Sequence, residues 1–187
     1  MKKMEITHSY CLLALNKEPG HVHKEYHDRE YGFPIDSDNE LFARLILEIN
    51  QAGLSWTTIL NKKANFYRAY DQFEISRVAN YSENDRERLL QDAGIIRNRL
   101  KINAAIYNAQ VILGLQEEFG SFKAWLDGNH PLTKAEWVKL FKKTFKFTGG
   151  EITGEFLMST GYLEGAHDVN CPVFKEIEKR KPPWMKN

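Results

Sequence analysis

The chain is short of cysteine: only Cys11 and Cys171, near opposite ends of 187 residues. A small secreted scaffold held by disulfides needs a denser set, so that class is excluded. An excess of one charge is also lacking, with 26 Lys and Arg against 25 Asp and Glu and a formal charge of +1. A wholly cationic nucleic-acid binder is thereby ruled out, although a balanced total still allows a basic face. No stretch approaches the roughly 18–20 apolar residues of a membrane span. Met1–Tyr10 is not followed by an apolar run ending in a small-residue cleavage site, so no secretory signal is expected. The expected location is cytoplasmic, where the two cysteines would be thiols or metal ligands. Internal repeats, low-complexity tracts and long linkers are absent as well. What is present, 42% hydrophobic and 12% aromatic residues, suits one packed domain over residues 1–187 and excludes intrinsic disorder.

The apolar periodicity is helical nearly throughout. Ser37 with Glu40 resembles a capping box ahead of Leu41, Phe42, Leu45, Ile46 and Ile49, which recur at helical spacing. Gly53 breaks that run, and Trp56, Ile59 and Leu60 begin another. Ser82 and Asp85 open a helix through Leu89 and Leu90 that stops at Ala93-Gly94, and a long helix follows with Ile102, Ala105, Ile106, Ala109, Ile112 and Leu115 on its buried face. Thr133 and Glu136 mark a further start before Val138, Leu140, Phe141 and Phe145. Gly149-Gly150 separates this from a helix holding Ile152, Phe156, Leu157 and Thr160. The β-rich patches, such as 145–148, are too short for a sheet, so the predicted fold is all-α.

Five groups of residues have the composition of a site. Glu48 falls about 20° from Leu41 on a 3.6-residue helix, at the edge of the apolar stripe. Position alone favours a boundary glutamate with a wet head; the sharper reading is a pocket acid, because a buried carboxylate must be paired or hydrogen-bonded. One turn later, Gln51-Ala52-Gly53-Leu54-Ser55-Trp56 combines a glycine that permits close backbone approach, an apolar side chain able to act as a wedge, and a flat indole. Tyr26-His27-Asp28-Arg29-Glu30-Tyr31-Gly32 mixes aromatic surface with metal-ligand types. His167 and Cys171, spaced H-x3-C, can place two ligands on one metal, and Cys11 with His27 would complete a Cys2His2 set, with His8, His21 and His23 as competing donors. Residues 89–106 read as helix, short glycine turn and helix, with Arg97, Arg99 and Lys101 just after the turn. That arrangement is either a phosphate-gripping hairpin or an ordinary one with a solvated basic rim.

Taken together, Tyr26-His27-Asp28…Glu30, Leu47-Glu48, Gln51–Trp56 and Gln91-Asp92-Ala93-Gly94-Ile95-Ile96-Arg97 resemble the DNA-3-methyladenine glycosylase I family. Phe145-Lys146-Phe147…Gly149 and His167…Cys171 fit its C-terminal part, so the resemblance spans nearly the whole chain in order. It implies a single-domain helical bundle of the helix-hairpin-helix DNA glycosylase type, with the hairpin over about residues 83–118. It also implies one structural zinc, held by Cys11, His27, His167 and Cys171, joining the chain ends. The implied activity is monofunctional hydrolytic removal of flipped-out 3-methyladenine from alkylated duplex DNA by a monomer. Glu48 would be the catalytic and base-binding acid, Tyr26, Tyr31 and Trp56 would bind the base, and Gly53, Leu54, Gly94, Arg97, Arg99 and Lys101 would contact DNA.

The chain also departs from the family. Tyr31 stands where a Trp is usual, no aromatic lies near Leu13, Gly150-Glu151-Ile152-Thr153-Gly154 replaces a run rich in Thr with a Tyr, Ser159 stands at a usual Gln, and the stretch from Trp125 to Thr133 is short. These changes keep a second function open, a relative that binds damaged DNA with altered specificity or without excision. A zinc hydrolase is disfavoured, because all four candidate ligands would be used in closing the site.

Overall fold

A computed structural model describes residues 6–186; Met1–Glu5, part of the segment read for a leader, and Asn187 lie outside the described residues. Every regular element among the described residues is helical, as the periodicity predicts. In chain order the helices are α1 (Ser9–Leu15), α2 (Val22–Arg29), α3 (Asp38–Gln51), α4 (Trp56–Ala69), α5 (Ile75–Ala79), α6 (Glu83–Gln91), α7 (Arg99–Phe119), α8 (Phe122–Asn129), α9 (Lys134–Thr144), α10 (Gly150–Ser159) and α11 (Phe174–Arg180). None is long and apolar enough to cross a membrane. The chain divides into two compact units, one made of its two ends up to Pro34 and from Leu157 onward, the other of residues 35–156.

The central element of the 35–156 unit is α3. Every residue from Leu41 to Asn50 is buried, including Arg44, Glu48 and Asn50. This differs from the one-sided stripe read from the sequence, and the reason is the surroundings: α4, α5, α7 and α8 all pack on α3. Burial on all sides removes the polar face on which a helical stripe depends. At its N-terminus Ser37 Oγ accepts from the Glu40 amide, but the expected capping box is only half made. The Glu40 carboxylate accepts instead from the Tyr67 hydroxyl at 2.6 Å, tying α3 to α4. Asp38 fixes the same end to α8, its carboxylate accepting from the Phe122 and Lys123 amides at 2.8 and 2.9 Å.

The helix starts read at Ser82/Asp85 and Thr133/Glu136 each carry a capping box. Each satisfies orphan amide donors at the start of α6 and α9. Phe122 and Trp125 of α8 form an aromatic cluster in this unit with Phe141, Phe145 and Phe156, ring centroids 5.2–6.4 Å apart. The end unit is smaller and its core is built on Cys11, Cys171, Val173 and Ile177. Gly32 shows why that packing demands glycine: its φ is +80°, and an added Cβ would lie 2.8 Å from the Ala166 Cβ.

Candidate functional site

Within the 35–156 unit, the chemistry-bearing residues gather where α3 ends. Glu48 is 5% exposed, so the wet boundary position is not the one it takes. Burial pushes its carboxyl up to about 8; the Arg44 guanidinium one turn earlier pulls the other way, and Glu155 of α10 adds to the rise. Desolvation outweighs the nearby cation because the charged form has lost its water. Sequence reading passed over Arg44, although its i,i+4 spacing to Glu48 was a signal.

Three residues on, the chain turns through Ala52 and Gly53 into Ser55, whose hydroxyl caps α4 by accepting from the Thr58 amide. The turn is closed twice, by the Leu54 amide donating to the Gln51 carbonyl at 2.7 Å and by Gln51 Nε2 donating to the Leu54 carbonyl at 3.0 Å. Gly53 has φ +81° with open space where a Cβ would be, so backbone conformation alone selects glycine there. Leu54 is 40% exposed and Trp56, the first residue of α4, is half-buried. Leu54 is thus held out on a doubly closed turn.

The turn between α6 and α7 is held from inside. The Gly94 amide donates to Asp92 Oδ1 at 2.7 Å, and Lys62 Nζ donates to the Ala93 and Gly94 carbonyls at 2.9 and 3.2 Å. Of the three expected phosphate-facing cations, Arg97 is exposed. Arg99 is half-exposed but donates to Glu83 and Glu87 of α6 at 3.0 and 2.5 Å. Lys101 is buried, and its ammonium donates to the Asn50 and Ala52 carbonyls at the end of α3.

In the end unit, Cys11, His27, His167 and Cys171 are all buried, with one ligand atom from each lying within 4.8 Å of the others. Cys171 Sγ lies 3.6 Å from His27 Nε2 and 3.7 Å from His167 Nδ1, and Cys11 Sγ lies 3.8 Å from the latter. A tetrahedron with bonds of about 2.3 Å to sulfur and about 2.0–2.1 Å to nitrogen has S···N edges of about 3.5 Å. The four residues therefore form a cluster that could hold a metal ion. Of the competing donors, His21 Nδ1 accepts from the His23 amide and His23 Nδ1 meets the Tyr10 hydroxyl at 3.2 Å.

The ring nitrogens turned away from the cluster are engaged. His27 Nδ1 meets Asp28 Oδ1 at 2.6 Å, and His167 Nε2 donates to the Tyr31 carbonyl at 2.8 Å. Those bonds leave His27 Nε2 and His167 Nδ1 as the free lone pairs, on the cluster side. Burial pushes the Cys11 thiol up to about 12, a cost that a dication among the four would reverse. Asp168 secures the neighbouring loop: its carboxylate accepts from the Thr7, His8 and Asn170 amides, and those bonds bring it down to about 2. Tyr26 and Tyr31 are buried in the same unit with ring centroids 5.6 Å apart.

A family model of the methyladenine glycosylases matches residues 16–138. The chain is also 39% identical over 166 residues to DNA-3-methyladenine glycosylase 1 of Escherichia coli, covering 78% of this chain and 88% of that protein. The chain belongs to the methyladenine glycosylase family. A second relative, the DNA-3-methyladenine glycosylase of Haemophilus influenzae, is 33% identical over 81% of this chain and 91% of its own length. Among solved structures, 3-methyladenine DNA glycosylase I of Staphylococcus aureus superposes with a TM-score of 0.76 at 32% identity, covering 84% of this chain and 93% of that one. A family structure with a Tyr-to-Phe substitution, solved in complex with 3-methyladenine, gives 0.75 at 32% identity over 84% and 94%.

Proposed function

We propose that this methyladenine glycosylase family member excises 3-methyladenine from alkylated duplex DNA in base-excision repair. The observation that carries the reading is Glu48, a carboxyl buried on a fully packed helix, brought up to about 8, one turn before a rigid glycine-leucine turn. Methylation at N3 makes the adenine cationic and its glycosidic bond weak. Glu48 complements that charge once it ionises, and Trp56 offers its face to the base, strengthened by cation–π attraction. Tyr26 and Tyr31 are assigned as further aromatic surface for base recognition. Leu54, presented by Gly53, fills the stack after the nucleotide leaves it. A water oxygen then bonds to the sugar C1′ as the C1′–N9 bond breaks. The electron pair neutralises the departing base, and the water's proton is released.

The segment around Gly94 acts as a helix-hairpin-helix that binds phosphate, with Arg97 as its surface cation and Arg99 available on breaking its exposed pairs with Glu83 and Glu87. No lysine is assigned as a Schiff-base nucleophile, so the strand stays intact. The test is a methylated duplex incubated with the purified protein: abasic sites should accumulate in unbroken strands, with no borohydride-trapped adduct. Strand scission by the protein itself, or a trapped adduct, would refute the monofunctional reaction.

The same proposal assigns zinc to Cys11, His27, His167 and Cys171. Four protein ligands leave no position for water, so the ion would stabilise the fold and take no part in the reaction. The Asp28 contact to His27 makes a graded prediction. Asp28→Ala should lower zinc affinity about 10- to 100-fold in chelator competition, as loss of a ligand's outer partner does elsewhere. Unchanged affinity would remove the ion's dependence on that carboxylate. A monomer is the expected state, one chain sufficing for every assigned residue.

A further inference from the structure

Lys101 stands in the first turn of α7, where the hairpin reading puts a phosphate contact, yet it is only 6% exposed. Its ammonium donates to the Asn50 carbonyl at 3.0 Å and the Ala52 carbonyl at 2.7 Å, one on each side of Gln51. A cation suits the end of α3, where carbonyls lack intrahelical partners and the helix dipole is negative. Burying an ammonium is nonetheless a costly way to cap a helix, since it must shed its water. The apolar contribution of α7 is made by other residues, Ile102, Ala105 and Ile106 among them, all buried. What the buried ammonium adds is a fixed connection between the start of α7 and the turn that presents Leu54.

A second connection runs through α4, which begins immediately after that turn. Lys62 donates to the Ala93 and Gly94 carbonyls, and Asn65 Nδ2 reaches the Gly94 carbonyl at 3.3 Å. The 51–54 turn and the hairpin turn are thus joined by two lysines, each on a pair of backbone carbonyls. Neither contact touches the Leu54 side chain, which stays exposed. Two segments fixed in this way need no ordering when DNA arrives.

We propose that Lys101 is a positioning residue that ties the Leu54 wedge to the hairpin, so that docking of the hairpin on the DNA backbone sets the wedge for base extrusion. The inference rests on the glycosylase reading above and assigns Lys101 no phosphate of its own.

Lys101→Met keeps the stem and removes the charge. It should be measured on a duplex carrying 2-aminopurine beside a tetrahydrofuran abasic-site analogue, with affinity followed against salt. A lost phosphate contact reduces the slope of log affinity on log salt by about 0.9. The brace leaves that slope unchanged, while the fluorescence rise from unstacked 2-aminopurine falls about threefold or more. Release of 3-methyladenine should fall about tenfold in kcat with KM little changed, and binding of free 3-methyladenine should stay within about twofold. Combined with Leu54→Ala, the loss should match the larger single effect, because both act through one wedge.

A slope reduced by about 0.9 with a full fluorescence response would make Lys101 a phosphate contact and overturn the proposal. Multiplying losses in the double variant would do the same. Should Lys101→Met not fold by circular dichroism, Gln51→Ala opens the same turn from its outer side and must show the same fluorescence loss; a full response there also refutes the brace. A wild-type protein that releases no 3-methyladenine would refute the function instead, and the fluorescence and salt measurements would still decide the brace.

Discussion

Glu48→Gln is expected to slow single-turnover release of 3-methyladenine by about 10- to 100-fold, since a hydrogen bond to a charged group contributes about 1.5–3 kcal/mol. The substitution is nearly isosteric, so the loss isolates the charge. The same residue sets a pH dependence. With its carboxyl up to about 8 in the free protein, Glu48 is mostly protonated at neutral pH, and only the ionised form complements a cationic base. The wild-type kcat/KM should therefore rise about tenfold per pH unit up to about 8 and then level, while Glu48→Gln gives a flat profile.

Stability moves the opposite way. The folded form holds the proton up to about 8, whereas the unfolded chain loses it near the ordinary 4.5, so the folded state binds more protons between these values. Wild-type stability thus falls as pH rises through that window, by up to about 1.4 kcal/mol per pH unit, and levels above it. Glutamine does not titrate. Melting temperatures of the two proteins should agree near pH 4.5 and diverge in favour of Glu48→Gln toward pH 8. A variant that is slower and yet more stable is the signature of a site residue kept at the expense of the fold. Equal melting curves at pH 8 would show that Glu48 is not desolvated.

Cys171→Ser should have the largest effect on stability. Zinc binding in small structural sites is worth about 10–16 kcal/mol in apparent free energy. Even a third of that, at about 2–4 °C per kcal/mol for a chain of this size, lowers the melting temperature by about 10 °C. Calorimetry and metal analysis should show stoichiometric zinc in the wild type, its loss in Cys171→Ser, and its retention in Glu48→Gln. Residual activity per folded molecule should be close to normal, because no reaction step passes through the ion. Selective inactivation of a protein that still melts normally would instead give the metal a part in the chemistry.

Features governed by neighbours in the chain were legible, and those governed by distant packing were not. The boxes at Ser82/Asp85 and Thr133/Glu136 form because both partners sit within one turn. The box at Ser37/Glu40 is half-made because Tyr67, far along the chain, takes the Glu40 carboxylate. The stripe on α3 misled about Glu48, since periodicity records one buried face and α3 is buried on every face. Short α5 and α8 offer too few turns for a period to show. Lys101 reads as one of three surface cations after a glycine turn, and only the three-dimensional placement of Asn50 and Ala52 turns its ammonium inward. The His167/Cys171 pair was visible as local spacing and Cys11 with His27 as one way to complete it, while the choice of His27 over His8, His21 and His23 depended on the resemblance and then on the fold.

The central claim is excision of one base, and the most direct measurement is the base itself. Wild-type protein and Glu48→Gln should be incubated with methylated duplex DNA, and the released bases separated by chromatography. The wild type should release free 3-methyladenine in amounts equal to the abasic sites formed, and the variant should lag by about 10- to 100-fold. Tight binding to the methylated duplex with no free base after long incubation would contradict the account and make the chain a damage-binding relative instead.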